Sequence, residues 1–157
     1  MKRYLMVATA AAGAVLATLV GVQAADPYRG EPVEITVQLG TAGGALVMSP
    51  RDLSFEIGKY YKLVLKNPSD VEHRLAVADF ASSVRTYGKP TIDRGEVMGR
   101  AVLRSRVPIG YLPREIEIAP GGVAEWYFVP VLRTSAKVGC TRDGHAEAGM
   151  VGTFKVI

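Results

Sequence analysis

The sequence contains few cysteines and histidines, the residues that most often form disulfide bonds or bind transition metals. Its 157 residues include one cysteine, Cys140, and two histidines, His73 and His145. One cysteine excludes an intramolecular disulfide framework, and two histidines exclude a site that needs three or four imidazoles. Charged residues make up only 22% of the chain, and this balance argues against wholesale disorder, collagen-like repeats and coiled coil. The length provides for one ordinary domain and excludes a large multi-domain enzyme.

The first two dozen residues have the composition of an export signal. A positive start, Met1-Lys2-Arg3, precedes an apolar or small run from Tyr4 to Val20. Small residues at the positions that signal peptidase inspects predict cleavage after Ala24, which makes residues 1–24 a signal peptide and residues 25–157 an exported, periplasmic domain. The alternative is an uncleaved membrane anchor, because the run approaches the roughly 20 residues that span a bilayer. If cleavage occurs, no stable anchor remains.

Cleavage would also reduce the charge of the protein. The whole chain carries 19 basic and 15 acidic residues, a net charge of +4. Removing Lys2 and Arg3 leaves 17 basic residues against 15 acidic ones, a net charge of +2. So mild an excess on an exported chain does not indicate a nucleic-acid partner.

Short runs of alternating apolar and polar residues dominate the rest of the chain. Gly, Pro, Asn and Asp separate these runs at intervals of roughly ten residues, which is typical of an all-β protein built as a β-sandwich. Between the second and third runs, Gly58-Lys59 predicts a hairpin or a corner. The predicted strands are Glu31–Leu39, Asp52–Ile57, Tyr61–Leu65, Arg74–Ala78, Ile116–Ile118, Val123–Val129 and Gly152–Ile157.

The stretch from Asp79 to Arg114 departs from this pattern and is interpreted as a long insertion between strands. Within it, Arg94 to Arg106 places Val97, Met98 and Ala101 on one face of a helix, which predicts a short amphipathic helix. Its basic face would dock an acidic partner, or the helix would simply cover one end of the fold; the second interpretation is favoured.

The most informative segment spaces three metal-binding side chains as Cys140-x4-His145-x4-Met150. A thiolate and a thioether are soft ligands and an imidazole is borderline, so this combination suits copper. His73 is the one other histidine in the chain. With it, the sequence completes a site of two histidines and one cysteine with a weak axial methionine, and no histidine or cysteine is left over.

Each of these residues has a simpler interpretation when it is taken alone. A lone cysteine in a β-domain is commonly a small buried hydrophobic residue, although an unpaired thiol in an oxidising compartment needs protection. Cys140 and His145 could instead form a nucleophilic pair, but no orienting partner is evident. Zinc is disfavoured, because a structural zinc ordinarily takes a fourth strong ligand, which Met150 is not.

Several segments together carry a resemblance to a known family. They are Met48–Pro50, Gly58–Asn67, Glu72–His73, Ile118–Gly122 and the loop Gly139–Gly152. On these segments the chain resembles the cupredoxins, the type 1 blue-copper family that includes plastocyanin, azurin, pseudoazurin and rusticyanin. The amino-acid sequence of the loop is similar to that of small bacterial periplasmic plastocyanin-like proteins, whereas its ligand spacing is similar to that of rusticyanin.

The resemblance implies a Greek-key β-sandwich of seven to eight strands that binds one type 1 copper ion. Its ligands would be His73, Cys140, His145 and Met150, the last three on one loop between the final two strands. His73 would arrive from the opposite sheet.

Two further contacts are implied by the resemblance. The side chain of Asn67 would hydrogen-bond the ligand loop, and the backbone carbonyl of Glu72 would lie near the metal opposite Met150.

The resemblance also implies a function. A copper ion that cycles between Cu(I) and Cu(II) would transfer single electrons between redox partner proteins, which would dock transiently near His145 on a monomeric carrier. The alternative is a periplasmic copper-binding protein for copper tolerance or delivery. An enzyme is not expected, because two histidines cannot supply a second metal site.

Overall fold

Two mixed β-sheets, packed face to face, make up most of the chain described by the computed structural model, which covers residues 30–104 and 107–157. This architecture confirms the all-β sandwich predicted from the alternation of apolar and polar residues. The predicted signal peptide, residues 1–24, lies outside the described residues.

The described residues form twelve strands and one short helix. In chain order these elements are β1 (Val33–Leu39), β2 (Met48–Ser49), β3 (Asp52–Phe55), β4 (Tyr61–Lys66), β5 (His73–Ala76), α1 (Ala78–Ala81), β6 (Val84–Thr86), β7 (Thr91–Ile92), β8 (Gly95–Arg104), β9 (Val107–Ile118), β10 (Val123–Pro130), β11 (Thr134–Cys140) and β12 (Val151–Val156).

The strand count exceeds the predicted seven to eight, even within the described ranges. Part of the excess comes from β2, β6 and β7, which are two or three residues long. Segments of this length carry no measurable alternation, so only their pairing with longer neighbours identifies them as strands.

The first sheet has the order β2–β1–β4–β10–β6, and β7 also pairs with β10. Strand β1 runs parallel to β4, and β10 runs antiparallel to it. The predicted alternation holds in β10, where Ala124, Trp126 and Phe128 are buried. This sheet therefore supplies one wall of the core.

The second sheet has the order β3–β12–β11–β5–β9–β8. Strand β3 belongs to this sheet and β4 to the first, so the turn at Gly58 is a corner between the sheets and not a hairpin. Gly58 has a φ of +81°, a left-handed conformation that residues with a side chain rarely adopt.

The predicted helix over 94–106 is wrong, because this segment contains strand β8. Strand β8 pairs antiparallel with β9 along its whole length, with register shifts between Met98 and Gly99 and between Val102 and Leu103. Val97 is buried, whereas Ala101 and Val102 are exposed, so no helical face is shielded. Pairing with a long neighbouring strand outweighs a weak helical periodicity.

Aromatic side chains from both sheets meet in the middle of the sandwich. The ring of Phe80, carried by α1, lies 5.0 Å from that of Phe55, 5.3 Å from those of Phe128 and Phe154, and 5.6 Å from that of Trp126. The contact with Phe55 is tilted and the other three are edge-to-face, and edge-to-face contacts at these distances add to the free energy gained from burying the rings. This cluster packs the two sheets against each other in the core of the sandwich.

In the described part of the chain, no helix has the length and apolar character needed to cross a bilayer.

We expect substitution of Gly152 to disturb the start of β12. A Cβ atom there would overlap the backbone carbonyl oxygen of Arg51 and approach the Met48 side chain. Overpacking of this kind costs about 1–3 kcal/mol, so Gly152→Ala should lower the free energy of unfolding, measured by denaturant titration, by an amount in this range or above it. Gly43→Ala is the control, because a Cβ at Gly43 would meet only the Thr41 hydroxyl at 3.8 Å. Equal stability of the two variants would contradict this packing.

Candidate metal centre

The candidate site lies at one end of the sandwich, where two neighbouring strands of the second sheet bring their chemistry together. Strand β5 begins at His73, and β11 ends at Cys140. The two strands are antiparallel, and Cys140 pairs with Leu75. His73 therefore reaches Cys140 from the adjacent strand of the same sheet, and the expectation that it arrives from the opposite sheet is wrong.

A tight loop connects Cys140 to β12, as the sequence predicts. The backbone N–H of Cys140 donates to the carbonyl of Met150 at 3.0 Å, and the N–H of Met150 donates to the carbonyl of His145 at 3.0 Å. Gly144 and Gly149 adopt φ values of +78° and +108°, which glycine reaches without strain. These hydrogen bonds hold the predicted ligands of the loop in register with one another.

Three of the predicted ligands bring their donor atoms into one small cluster. Nδ1 of His73 lies 3.2 Å from Nδ1 of His145, and Sγ of Cys140 lies 3.4 Å from Nδ1 of His145 and 3.9 Å from Nδ1 of His73. All three side chains are buried: His73 is 0%, Cys140 4% and His145 9% exposed. No other group of three or more His, Cys, Asp or Glu side chains with this proximity occurs within the described ranges.

The separations of these atoms fit a single metal ion. Metal–nitrogen and metal–sulfur bonds of about 2.0–2.3 Å in a trigonal arrangement place donor atoms about 3.5–4.0 Å apart, and the observed separations of 3.2, 3.4 and 3.9 Å lie in or close to that range. Three donor atoms this close together in a buried position could hold one metal ion. A nucleophilic Cys–His pair accounts less well for the cluster, because a nucleophilic thiol needs access to substrate and Cys140 is buried with a second imidazole beside it.

Met150 closes the loop and is fully buried in the core cluster. Its backbone is hydrogen-bonded to both Cys140 and His145, so its position is tied to the two loop donors. Its role as a fourth, axial ligand remains a prediction, as does the predicted placement of the Glu72 carbonyl.

The Cys140 sulfur also accepts a hydrogen bond that the sequence does not predict. The backbone N–H of Arg74 donates to Sγ of Cys140 at 3.4 Å. Because β5 and β11 are adjacent, the residue after His73 places its N–H group beside the thiol. This contact forms because two distant segments pair as neighbouring strands, and no sequence motif predicts it.

The other ring nitrogen of His73 faces Ser69. Nε2 of His73 lies 2.9 Å from Oγ of Ser69, and both side chains are buried. A Cβ atom at Gly40 would lie 2.6 Å from this Nε2, so the backbone after β1 covers the pair. Ser69 was not singled out from the sequence, because a serine in an Asn-Pro-Ser-Asp turn normally faces solvent.

The predicted hydrogen bond from Asn67 to the ligand loop is wrong. Among the described residues, the Asn67 amide nitrogen donates to the backbone carbonyls of Val71, Ile118 and Ala119, and its oxygen accepts from Ser69. Asn67 thus joins the turn before β5 to the end of β9. It acts on the site through Ser69 and not through the loop.

The electrostatic environment keeps His73 neutral. Burial, together with the charges of His145 and Arg142, lowers the pKa of His73 to about 4. A neutral imidazole retains a lone pair on one ring nitrogen, and this is the form that binds a metal.

The residues close to His145 along the loop are small or charged. Ala146 and Gly149 are half-buried, and Ala148 is exposed. Charges of both signs surround them, since Arg142, Asp143 and Glu147 are exposed, and Arg142 lies 3.7 Å from Glu72. The part of the loop around His145 therefore carries no strong charge of one sign.

Comparison with known proteins identifies the fold. No protein-family model matches the chain, and no curated protein matches it. Among solved structures, sodium-dithionite-reduced auracyanin from the photosynthetic bacterium Roseiflexus castenholzii matches with a TM-score of 0.50 and 15% identity, over 82% of this chain and 99% of that one. McoA multicopper oxidase from the hyperthermophile Aquifex aeolicus matches with a TM-score of 0.53 and 11% identity, over 80% of this chain and 29% of that one.

A third solved structure also matches. Laccase from Pediococcus acidilactici has a TM-score of 0.50 and 9% identity, over 81% of this chain and 27% of that one. The chain therefore corresponds to the whole of auracyanin and to less than a third of each oxidase chain. Its fold is that of the cupredoxins, as the sequence resemblance predicts.

The buried, neutral His73 predicts a pH-dependent stability for the metal-free protein. The unfolded chain takes up a proton near pH 6.5, whereas the folded protein takes it up only near pH 4. Between these values the unfolded state binds more protons, so the free energy of unfolding should fall as the pH is lowered from about 6.5 to about 4.

Denaturant titrations of the metal-free protein at several pH values measure this effect. His73→Gln cannot take up the proton and is the control for the other titrating groups. The same slope of stability against pH in both proteins would contradict a buried neutral His73.

Proposed function

We propose that the protein is a periplasmic carrier of single electrons that binds one type 1 copper ion through His73, Cys140, His145 and Met150. One observation carries the proposal: the nitrogen of each imidazole and the sulfur of the thiol converge within 3.2–3.9 Å of one another in a buried position. Two imidazoles and a thiolate with a weak axial methionine are the donor set of blue-copper electron-transfer sites.

The copper ion would supply the chemistry, since it accepts and releases one electron by changing between Cu(II) and Cu(I). The chain would hold the three donor side chains in fixed positions. The loop hydrogen bonds of Met150 to Cys140 and His145 hold two donors, and pairing of β5 with β11 holds the third. Donors that move little when the charge changes keep the reorganisation small, which favours rapid electron transfer.

The thiol of Cys140 receives further support from the backbone. The N–H of Arg74 points at its sulfur, and such a donor stabilises negative charge on a thiolate. Hydrogen bonding around a cysteine ligand is one of the factors that set the reduction potential of a copper site. Arg74 therefore contributes to the potential through its main chain, whatever its side chain does.

We place the route for electrons at His145. This imidazole is the most exposed of the three clustered donors, and small residues surround it. A redox partner could approach its edge closely, and the mixed charges of Arg142, Asp143 and Glu147 favour a brief encounter over a tight complex. The carrier would act as a monomer in the periplasm after cleavage behind Ala24.

The number of histidines and cysteines in the chain favours an electron carrier over an enzyme. Both histidines and the one cysteine of the chain belong to a single cluster, which leaves no imidazole for a second copper ion. The multicopper oxidase and laccase that share the fold are chains more than three times as long as the matched part. A single buried ion with its donors in place is sufficient for one-electron exchange.

The second candidate function is copper tolerance or delivery, for which the same ligands would hold an exchangeable ion. The complete burial of His73 and Met150 favours retention of the ion. Prolonged exposure of the copper-loaded protein to a chelator, with reversible reduction and reoxidation afterwards, tests the two functions. Retained, redox-active copper supports the carrier, and ready transfer of Cu(I) to an acceptor protein supports delivery.

Replacement of the thiol should abolish the visible colour of the copper protein. We expect the Cu(II) form of the mature protein to show intense thiolate-to-copper absorption, which Cys140→Ser removes because serine offers no thiolate. Absorption spectroscopy after addition of Cu(II) measures the effect. Ser135→Ala, on the same strand β11, is the control and should keep the band. A wild-type protein that remains colourless with a titratable free thiol would overturn the copper proposal.

Replacement of the axial residue should change the potential and spare the colour. Met150→Leu removes a thioether that stabilises Cu(II) more than Cu(I), so the reduction potential should rise while the visible band persists. Cyclic voltammetry of the bound copper measures the shift. Met98→Leu, in the hairpin of β8 and β9, is the control for loss of a methionine. An unchanged potential would show that Met150 is not a ligand.

A further inference from the structure

A chain of hydrogen bonds leads from the backbone at the end of β9 to the imidazole of His73. It begins at the Asn67 amide nitrogen, which lies 2.8 Å from the Val71 carbonyl oxygen, 2.9 Å from that of Ile118 and 3.2 Å from that of Ala119. Only the NH2 group of an amide can donate to carbonyls. These three acceptors therefore determine the orientation of the amide and direct its oxygen towards Ser69.

The orientation of Asn67 determines where the Ser69 proton goes. Oγ of Ser69 lies 2.6 Å from the Asn67 amide oxygen and 3.0 Å from the Val71 carbonyl oxygen. Neither of these oxygens carries a proton, and two oxygens 2.6 Å apart require one between them. The hydroxyl has one proton to give, and the Val71 carbonyl already accepts from Asn67. The proton of Ser69 is thus used on the side away from His73.

The side of Ser69 that faces His73 consequently presents a lone pair. Nε2 of His73 lies 2.9 Å from this oxygen, a hydrogen-bond distance that requires a proton on Nε2. A neutral imidazole has one N–H group, so Nδ1 is left with its lone pair. Nδ1 is the atom that faces Cys140 and His145, at 3.9 Å and 3.2 Å.

We propose that Ser69 is a positioning residue that selects the metal-binding tautomer of His73. Its hydroxyl oxygen accepts a hydrogen bond from the Nε2–H group, and its own O–H donates to the Asn67 amide oxygen. Nδ1 of His73, without a proton, therefore faces the other two donors. The role in metal binding rests on the function proposed above. The selection of the tautomer does not, because it is a property of the metal-free chain.

The surroundings leave His73 no competing arrangement. Asn67 is 1%, Ser69 4% and His73 0% exposed, and Ser69 is the one hydrogen-bond partner of Nε2 among the residues that the structure describes. A Cβ atom at Gly40 would lie 3.0 Å from Cβ of Ser69, so the covering backbone packs closely on the pair. Partners that orient a ligating histidine typically change metal affinity 10- to 100-fold when they are removed.

The first test reads the tautomer directly in the unmodified protein. Nitrogen-15 NMR of the metal-free mature protein at pH 7 distinguishes a ring nitrogen that carries a proton from one that does not. We expect Nε2 of His73 to be protonated and Nδ1 to be bare. A proton on Nδ1 overturns the proposal, and this measurement depends neither on metal binding nor on the folding of a variant.

The second test removes the hydroxyl and compares metal affinity. Ser69→Ala should weaken Cu(I) binding by about 10- to 100-fold in competition titrations, and His73 should show a mixture of tautomers in the metal-free protein. The matched control is Ser83→Ala, which removes another buried serine, hydrogen-bonded to the Phe80 carbonyl at 2.7 Å, and should leave affinity and tautomer unchanged.

The outcomes of the two tests separate the proposals. An affinity of Ser69→Ala within twofold of wild type, with Nε2 of His73 still protonated, overturns the role of Ser69. Failure of the wild-type protein to bind copper overturns the proposed function, while the tautomer in the unmodified protein still decides the role of Ser69. If Ser69→Ala does not fold, the measurement on the unmodified protein decides it alone.

Discussion

Antiparallel pairing of β5 with β11 brings the two separate parts of the candidate site together. It joins two segments 66 residues apart through the Arg74 N–H and the Cys140 sulfur, and it sets Cys140 opposite Leu75. His73 then lies at the start of one strand and Cys140 at the end of its neighbour. A slip of one residue in this register would turn one of the two side chains to the outer face of the sheet. The core beneath the sheet, formed by aromatic rings from both walls, resists such a slip.

Buried polar groups at this end of the sandwich satisfy one another in sequence. Backbone carbonyls orient Asn67, Asn67 orients Ser69, and Ser69 orients His73. An unpaired polar group in a buried position costs free energy, whereas a network with every member satisfied is rigid. The same network that stabilises the turn before β5 therefore also leaves Nδ1 of His73 available to a metal. The stability of the turn and the geometry of the site depend on the same hydrogen bonds.

Much of the fold and most of the site were accessible from the sequence. Strands with clean alternation, such as β10 and β12, were predicted, and so were the ligand loop and the convergence of His73, Cys140 and His145. The helix over 94–106 was wrong because its periodicity was weak and a long partner strand was available. The sheet of His73 and the partner of Asn67 were also wrong, since both depend on which distant strands become neighbours.

Composition and local spacing identify the candidate donors and the loop that carries three of them. The sequence contains a single cysteine and two histidines, and short-range spacing brings Cys140 and His145 onto one turn whatever the rest of the chain does. The packing of the two sheets places His73 on the adjacent strand, brings the Arg74 N–H to the thiol and sets Ser69 behind the imidazole. Local periodicity is encoded within a few residues, whereas hydrogen bonds between strands depend on the packing of the whole sandwich.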